Sequence, residues 1–519
     1  MTKRWKKAVR SLLLLALSAL LATFAAAAEL MPYDGYTYDF WGDSIPSLAG
    51  YMPGRIYSGG DMGCGDITGG EDLFVYGDRL YLLDSGSKSV LILDENYRLA
   101  GRIEHFLYED GSEYLLQDPK GLYIRDDRLY IADKGSASGN QSAGLGDPAA
   151  AGRVIRCTLD GKIDREYTRP DTALLDSTAL FKPVKVVADA VGNCYVLCED
   201  LYQGLVNYDK DGDFTAFFGG NQVQLSSNQL MAYFWKKFLT REQAQKMIRF
   251  LPVEYTNAFI VGDFIYTVTK TNTNSVDEIQ KLNPIGRNVL HFSETDAAYP
   301  KNNFGDVETA YFKQTLYDSQ LVDIHVDEDD LITVLDFERG RLFQYDQECN
   351  IVAVFGSKGS QKGNFLNPTA VEKFAGSYVV LDKAKRCLTT FQETEYMQHV
   401  RQGIRYYQKN LNTESLEEVI EPWEKVLSLN SGYRLAYLNI GRALSQQGRF
   451  EEALEYFKLA QNREEYSQAF RQVRTQFVKR TFLWILLGAA AFLVLLVWTV
   501  RFVKRKLGFE SKRTKMIYH

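Results

Sequence analysis

The chain has 519 residues, with 60 Lys and Arg against 66 Asp and Glu, a formal net charge of -6. A mildly acidic chain whose cations gather near its two ends excludes nucleic acid as the main partner. Abundant Tyr and Phe with only 12 Pro describe a packed, strand-rich body rather than a disordered stalk, and six Cys are too few for a disulfide scaffold at this length.

The N-terminus reads "MTKRWKKAVR" and then "SLLLLALSALLATFAAAA". A basic region, an apolar run and a small-residue exit are the parts of a secretory signal peptide. Ala26 and Ala28 suit an A-x-A cut, so residues 1–28 are expected to be removed and the mature chain to start near Glu29. The alternative is an uncleaved anchor.

From residue 36 to 391 the sequence repeats. Short β-rich runs such as "LFVYGDRLYLLD", "PKGLYIRDDRLYIAD", "PVKVVADAVGNCYVLC", "AFIVGDFIYTV", "LVDIHVDEDDLITVLD" and "NPTAVEKFAGSYVVLD" share one order. A strand meets a Gly, Asp or Asn turn, a second strand follows, and one or two more strands complete the unit. Asp84, Asp133, Asp336 and Asp382 fall at the same place in four of the six units. Sheets this small cannot bury both faces alone, and stacking them around an axis solves the problem. The repeated Asp residues are expected to cap turns through nearby backbone N–H groups. The early segment "GYTYDFWGD" resembles the late strand of unit five, so residues 36–42 are expected to close the last sheet beside residues 371–391 and hide its edge.

Pro368, Ala370, Val371, Gly376, Tyr378, Val379 and Asp382, together with the matching Pro119, Gly121, Leu122, Leu129, Tyr130, Ala132 and Asp133, carry a resemblance. They resemble NHL-repeat β-propellers, close to the SMP-30/gluconolactonase-like six-bladed group. The resemblance implies a mainly β fold over 29–398: a six-bladed β-propeller closed by an N-terminal strand. Units three and four match it least.

Residues 221–257 interrupt the rhythm. Met231, Phe234, Trp235, Phe238 and Leu239 recur at helical spacing, and Thr240 with Gln243 forms a capping box for a second short helix. These helices either cover a blade face or present Tyr233, Phe234, Trp235, Lys236 and Lys237 as a docking patch, since aromatic and cationic side chains make good anchors.

After residue 398 the period becomes helical. Tyr437, Ile440, Gly441, Leu444, Gly448, Ala453, Phe457 and Ala460 are spaced like one tetratricopeptide (TPR) unit, whose period is about 34 residues. Val419, Trp423 and Val426 mark a weaker copy one period earlier. Gly441 and Ala453 let two helices approach, with Phe457 filling the gap beside them. A TPR-like α-helical domain is therefore expected over 399–480, as a peptide-binding groove or a rigid spacer.

Phe482–Val500 carries no charge and has the length of a membrane-crossing helix, about 20 residues. Trp484 and Trp498 sit near its ends, and Arg501, Lys504, Arg505 and Lys506 follow it. With a cleaved signal in front, the positive-inside bias places the body outside and the basic tail, 501–519, in the cytoplasm. The single transmembrane helix is expected over 481–500.

Enzymatic chemistry finds little support. A lactonase-like propeller would need a divalent cation held by converging oxygens. Asp72, Asp189, Asn193, Asp323, Asp327 and Asp336 are the oxygen donors at strand ends, and His325 is the one histidine suited to a channel. No linear pattern joins them, so no catalytic residue, metal set or cofactor is assigned. "YDKDGD" at 208–213 lacks the remaining ligands of a calcium loop, and G-x-S-x-G and H-E-x-x-H do not occur. Cys194 and Cys198 on one strand would lie roughly 13 Å apart, beyond a disulfide. They read as buried small hydrophobes.

The expected function is recognition or scaffolding at the outer membrane face, with a protein or carbohydrate partner. Look-alike bacterial membrane proteins travel with sugar ABC-transport components, which implies transporter subunits as partners. A metal-dependent lactonase-like hydrolase and a passive spacer are the alternatives.

Overall fold

The computed structural model describes residues 31–38, 43–137, 150–175, 179–220, 254–269, 278–290, 304–306, 310–312, 315–317, 319–408 and 415–506. The expected signal peptide, the Tyr233–Lys237 patch and the tail beyond Lys506 lie outside these residues. The chain divides into two compact units, residues 1–401 and 402–519.

The first unit is a six-bladed β-propeller. Blade one runs Gly70–Tyr76, Arg79–Asp84, Ser89–Leu93 and Leu99–Ile103, each strand antiparallel to the one before. Blades two, three and five repeat this meander from Pro119, Pro183 and Leu321, and blade four starts at Tyr255 with three strands among the described residues. Blade six joins Pro368–Phe374, Ser377–Asp382 and Cys387–Glu393 to an N-terminal strand, Tyr51–Ser58. The first strand of every blade contacts the first strand of the next, and blade six returns to blade one, so these six strands line the axis.

The closing strand corrects an expectation. Tyr51–Ser58 pairs with Cys387–Glu393, whereas Tyr36–Tyr38 pairs with Ser44–Pro46 in a separate hairpin. The closing strand includes Pro53, and its register slips between Pro53 and Ile56. Proline is tolerated there because an outermost strand pairs on one side only. The earlier hairpin is fixed to blade five instead: the hydroxyls of Tyr36 and Tyr38 donate to the Asp306 carboxylate, which also meets Arg339 and Arg341.

The cores lie between blades. Tyr81, Leu83 and Val90 of blade one pack with Leu122, Ile124 and Ile155 of blade two. Leu73, Leu80 and Leu82 pack with Ala370, Val379 and Leu388 of blade six. A fully buried Val or Leu contributes about 1.5–3 kcal/mol, so the repeated stacking supplies the cohesion each small sheet lacks. Two-residue turns keep the sheets tight. Ala375 and Gly376 both have positive φ, 49° and 76°, the conformation a two-residue hairpin needs for its strands to twist correctly.

Each repeated Asp ends a second strand, is buried, and brackets two stretches of backbone. Asp84 accepts from Gly69 N at 2.6 Å and Gly86 N at 3.2 Å. Asp133 accepts from Gln117 N and Asp118 N, both at 2.7 Å, and Gly135 N at 3.1 Å. Asp336 takes Gln320 N and Glu338 N, and Asp382 takes Leu366 N, Asn367 N, Ala384 N and Lys385 N. The loop entering a blade is thus tied to the turn leaving its second strand.

Among the described residues, five helices follow the last blade: α1 (Glu395–Gln408), α2 (Leu416–Leu429), α3 (Arg434–Gln446), α4 (Phe450–Leu459) and α5 (Arg463–Lys506). The division between the units falls within α1. In the second unit, Trp423 of α2 is fully buried, and a Cβ built on Gly403 would strike its ring at 2.4 Å. Gly441 of α3 likewise lies under Phe457 of α4, where a Cβ would sit 2.7 Å from the ring. Ala453 is buried on α4. Ala469 of α5 is buried, and α5 then continues without a break through Phe482–Val500, where its large apolar side chains stand exposed. This is one helix long and apolar enough to cross a membrane.

Candidate functional site at the propeller axis

All six first strands carry the same irregularity. Their register slips between the first and third residues: Gly70/Asp72, Pro119/Gly121, Pro183/Lys185, Tyr255/Asn257, Leu321/Asp323 and Pro368/Ala370. A bulge re-aims the residue that follows it. The equivalent third positions hold Asp72, Gly121, Lys185, Asn257, Asp323 and Ala370, four polar and two small.

The polar four are matched to one another and to neighbouring backbone. Lys185 Nζ lies 2.8 and 2.7 Å from the two oxygens of Asp72, joining blade three to blade one. Gly121 makes this reach feasible, because a Cβ there would meet Val184 O at 2.5 Å and Lys185 Cα at 2.9 Å. Asp72 also accepts from Leu122 N of blade two at 2.8 Å. Asn257 Nδ2 donates to Asp323 at 2.6 Å, and Val371 N of blade six donates to the other Asp323 oxygen at 2.6 Å. Blades one to two, one to three, four to five and five to six are all clasped through this ring.

Two residues further along the same strands, His325 Nδ1 lies 2.8 Å from Glu372 Oε2, both buried. Burial pushes the Asp323 carboxyl up to about 7; Lys185 opposes this and Asp72 adds to it. Burial works against the imidazolium of His325, yet Glu372 outweighs it and holds the pKa above the usual value. Lys185 behaves likewise: burial disfavours its charge, and Asp72 more than restores it.

A second buried network lies beyond His325. Arg401 Nη1 of α1 meets Asp327 at 2.5 Å and Asp329 at 2.7 Å, and its Nη2 meets Glu393 at 2.7 Å and the hydroxyl of Tyr51 at 3.2 Å. Tyr51 donates to Gln344 at 3.0 Å, and Tyr378 donates to Asp327 at 3.0 Å. Burial alone would raise the Asp327 carboxyl, but Arg401 and then Lys373 hold it below the ordinary range. The closing strand is therefore fastened by Tyr51 as well as by its ladder.

The oxygen donors marked in the sequence do not converge. Asp72 and Asp323 belong to the axial ring, and Asp327 to the Arg401 network. Asp189 caps a hairpin turn by accepting Val191 N, Gly192 N and Asn193 N, with Asn193 bonded to it as well. Asp336 brackets blade five. Among the described residues, no three His, Cys, Asp or Glu side chains gather as a metal site. Asp209 in "YDKDGD" accepts from Asp211 N and Asp213 N, an ordinary turn. Cys194 and Cys198 are buried free thiols on one strand.

Lys185, Asn257, Glu372 and Arg401 were not marked by sequence reading. The available signal is a polar residue third from the start of an otherwise apolar strand, as in "PVKVVA" and "YTNAFIV". Arg401 has no such signal, because its partners come from strands far away in the chain.

No protein-family profile and no curated protein matches this chain. Solved structures do. Virginiamycin B lyase from Staphylococcus aureus is 11% identical, covering 66% of this chain and 89% of that one, with a TM-score of 0.34. A streptogramin B lyase is 10% identical, covering 67% and 100%, with a TM-score of 0.39. A protein of unknown function from Bacteroides thetaiotaomicron is 10% identical, covering 69% and 90%, with a TM-score of 0.38. Likenesses this remote assign no activity.

Proposed function

We propose that this chain is a membrane-anchored recognition or scaffold protein, with its propeller held on the extracytoplasmic side and its basic tail in the cytoplasm. The observation that carries this reading is the matching of charges at the axis. Asp72 is engaged by Lys185, Asp323 by Asn257 and Val371, and Asp327 by Arg401, so the acidic groups brace the ring. Recognition is then assigned to groups away from the axis, and the candidates are Tyr233, Phe234, Trp235, Lys236 and Lys237 of the 221–257 insertion, which lie outside the described residues. The NHL-like repeat and the TPR-like spacing of α3 and α4 favour protein or glycan binding, and an accessory place in a carbohydrate ABC-transport system fits both. The exposed apolar length of α5 supports the anchor.

The test is co-purification of the full chain in mild detergent, with mass-spectrometric identification of what accompanies it. Stable membrane or extracytoplasmic partners are expected, and removal of residues 228–250 should weaken their recovery. Recovery of the bare chain alone would overturn the reading in favour of a passive spacer. Protease added to intact cells should digest the body and spare the tail; a protected body would overturn the topology.

A further inference from the structure

Charge is distributed unevenly along α5. Glu464 and Glu465 open the helix, and no Asp or Glu follows until Glu510. Arg471, Arg474, Lys479 and Arg480 come just before the apolar run Phe482–Val500 and are all exposed. The helical neighbours three and four residues from each hold no carboxylate, so none is neutralised along the helix. Around the helix axis the four leave no gap wider than about 120°. That gap holds Phe470, Val473 and Phe477.

Topology does not ask for these cations. Every Lys or Arg on the outer flank weakens the bias that places the tail in the cytoplasm, although the seven Lys and Arg of residues 501–519 outnumber the four. A protein partner would meet one side of the helix, whereas a headgroup layer meets every side. Because α5 runs unbroken from Arg463 to Lys506, distance from the span follows from the helix rise. The headgroup layer is about 5–8 Å thick on each side of the hydrocarbon. Lys479 and Arg480 stand about 3–5 Å from Phe482 along the axis, inside that layer. Arg474 stands about 12 Å away, and its long side chain can lean towards the layer. Arg471, about 16 Å away, lies roughly one screening length beyond it.

We infer that Arg471, Arg474, Lys479 and Arg480 form a collar that selects anionic phospholipid headgroups in the leaflet at the outer end of the span. The inference rests on the membrane-anchored reading of α5. Each Lys or Arg close to an anionic surface contributes roughly a fivefold preference for it.

Native mass spectrometry of the full chain, released from nanodiscs of equal parts phosphatidylcholine and phosphatidylglycerol, tests it. The seven tail cations are first changed to Gln, so that only the outer flank is charged. This chain should retain phosphatidylglycerol over phosphatidylcholine by roughly fivefold or more. Adding Arg471→Gln, Arg474→Gln, Lys479→Gln and Arg480→Gln should abolish the preference. Adding Arg471→Lys, Arg474→Lys and Arg480→Lys instead should keep it. No preference in the first chain, or an equal preference after the four Gln substitutions, would overturn the inference. Loss of the lipid to excess inorganic phosphate, but not to chloride at equal ionic strength, would mark a site for a free anion and overturn it too. So would an acidic protein held by the four cations in native membranes. Release of the full chain from membranes by alkaline carbonate would overturn the anchor and the inference with it. Retention in carbonate without a lipid preference would overturn the inference alone.

Discussion

Blades one, two, five and six end their second strand on a buried aspartate; at the same register, blade three has Cys198 opposite Pro183 and blade four has Thr269 opposite Tyr255. The two blades keep the slip in their first strands and the same antiparallel pairing. Blade three also keeps the backbone bond that accompanies the aspartate elsewhere: Glu199 N donates to Lys182 O at 2.9 Å, as Lys134 N donates to Asp118 O at 3.0 Å. The backbone pairing is therefore common to five blades, and the carboxylate is an added bracket on the incoming loop. Blades three and four contribute to cohesion elsewhere, through Lys185 and Asn257 at the axis.

That contrast can be broken most severely at the axis. Lys185→Met leaves the buried Asp72 carboxylate without its cation and should cost about 3–5 kcal/mol in urea unfolding of the full chain in detergent, followed by circular dichroism. Adding Asp72→Leu should recover most of the loss. A single variant no worse than the double would mean that the ion pair does not brace blade three.

The bracket itself comes next. Asp382→Ala strands four backbone donors and should cost about 3 kcal/mol in the same measurement. Its counterpart Cys198→Ala, which removes a weak sulfur acceptor from one backbone N–H, that of Lys182, should cost only about 1 kcal/mol. Equal losses would erase the distinction between the two kinds of blade.

The pH dependence separates the axis from the brackets and is read as a shift in thermal midpoint. Asp323 holds its proton up to about 7 in the folded ring against 3.8 for an ordinary carboxyl, so its contribution to stability declines as pH rises between those values. His325 has a folded pKa above its ordinary 6.5, so its contribution is present at lower pH and is lost as pH rises through the folded value. The groups facing them are Lys185, Asp72 and Glu372 around Asp323, and Glu372, Asp327 and Asp323 around His325. Both slopes have one sign, and the chain should melt at a higher temperature at pH 5.5 than at pH 8. Asp346, raised to about 6 by burial, adds to the same trend. Asp323→Asn combined with His325→Gln should flatten the profile, and an unchanged profile would remove both groups from the account.

The number of blades was legible because each repeat places apolar pairs, a turn and often an aspartate at a fixed interval. The closing strand was not. "GYTYDFWGD" is richer in aromatic residues than "YMPGRIYS", yet the latter closes the ring. An outermost strand pairs on one side and is half exposed, so it needs little apolar pattern and accepts Pro53. The axial ring was legible only in part: Asp72, Asp323 and His325 stood out as polar residues in strands, but their partners lie one or two blades away. The Arg401 network was illegible, since it joins residues as distant as Tyr51, Asp327 and Glu393. The patch on Tyr233–Lys237 lies outside the described residues and stands as a proposal.

The N-terminal strand seated in blade six has a topological consequence. A ring closed by pairing its first strand with its last holds every neighbouring pair of blades in two ways, once through the connecting peptide and once around the circle. One proteolytic nick between blades would leave the two blades beside it still joined around the circle. The polypeptide has a beginning; the annulus it makes does not.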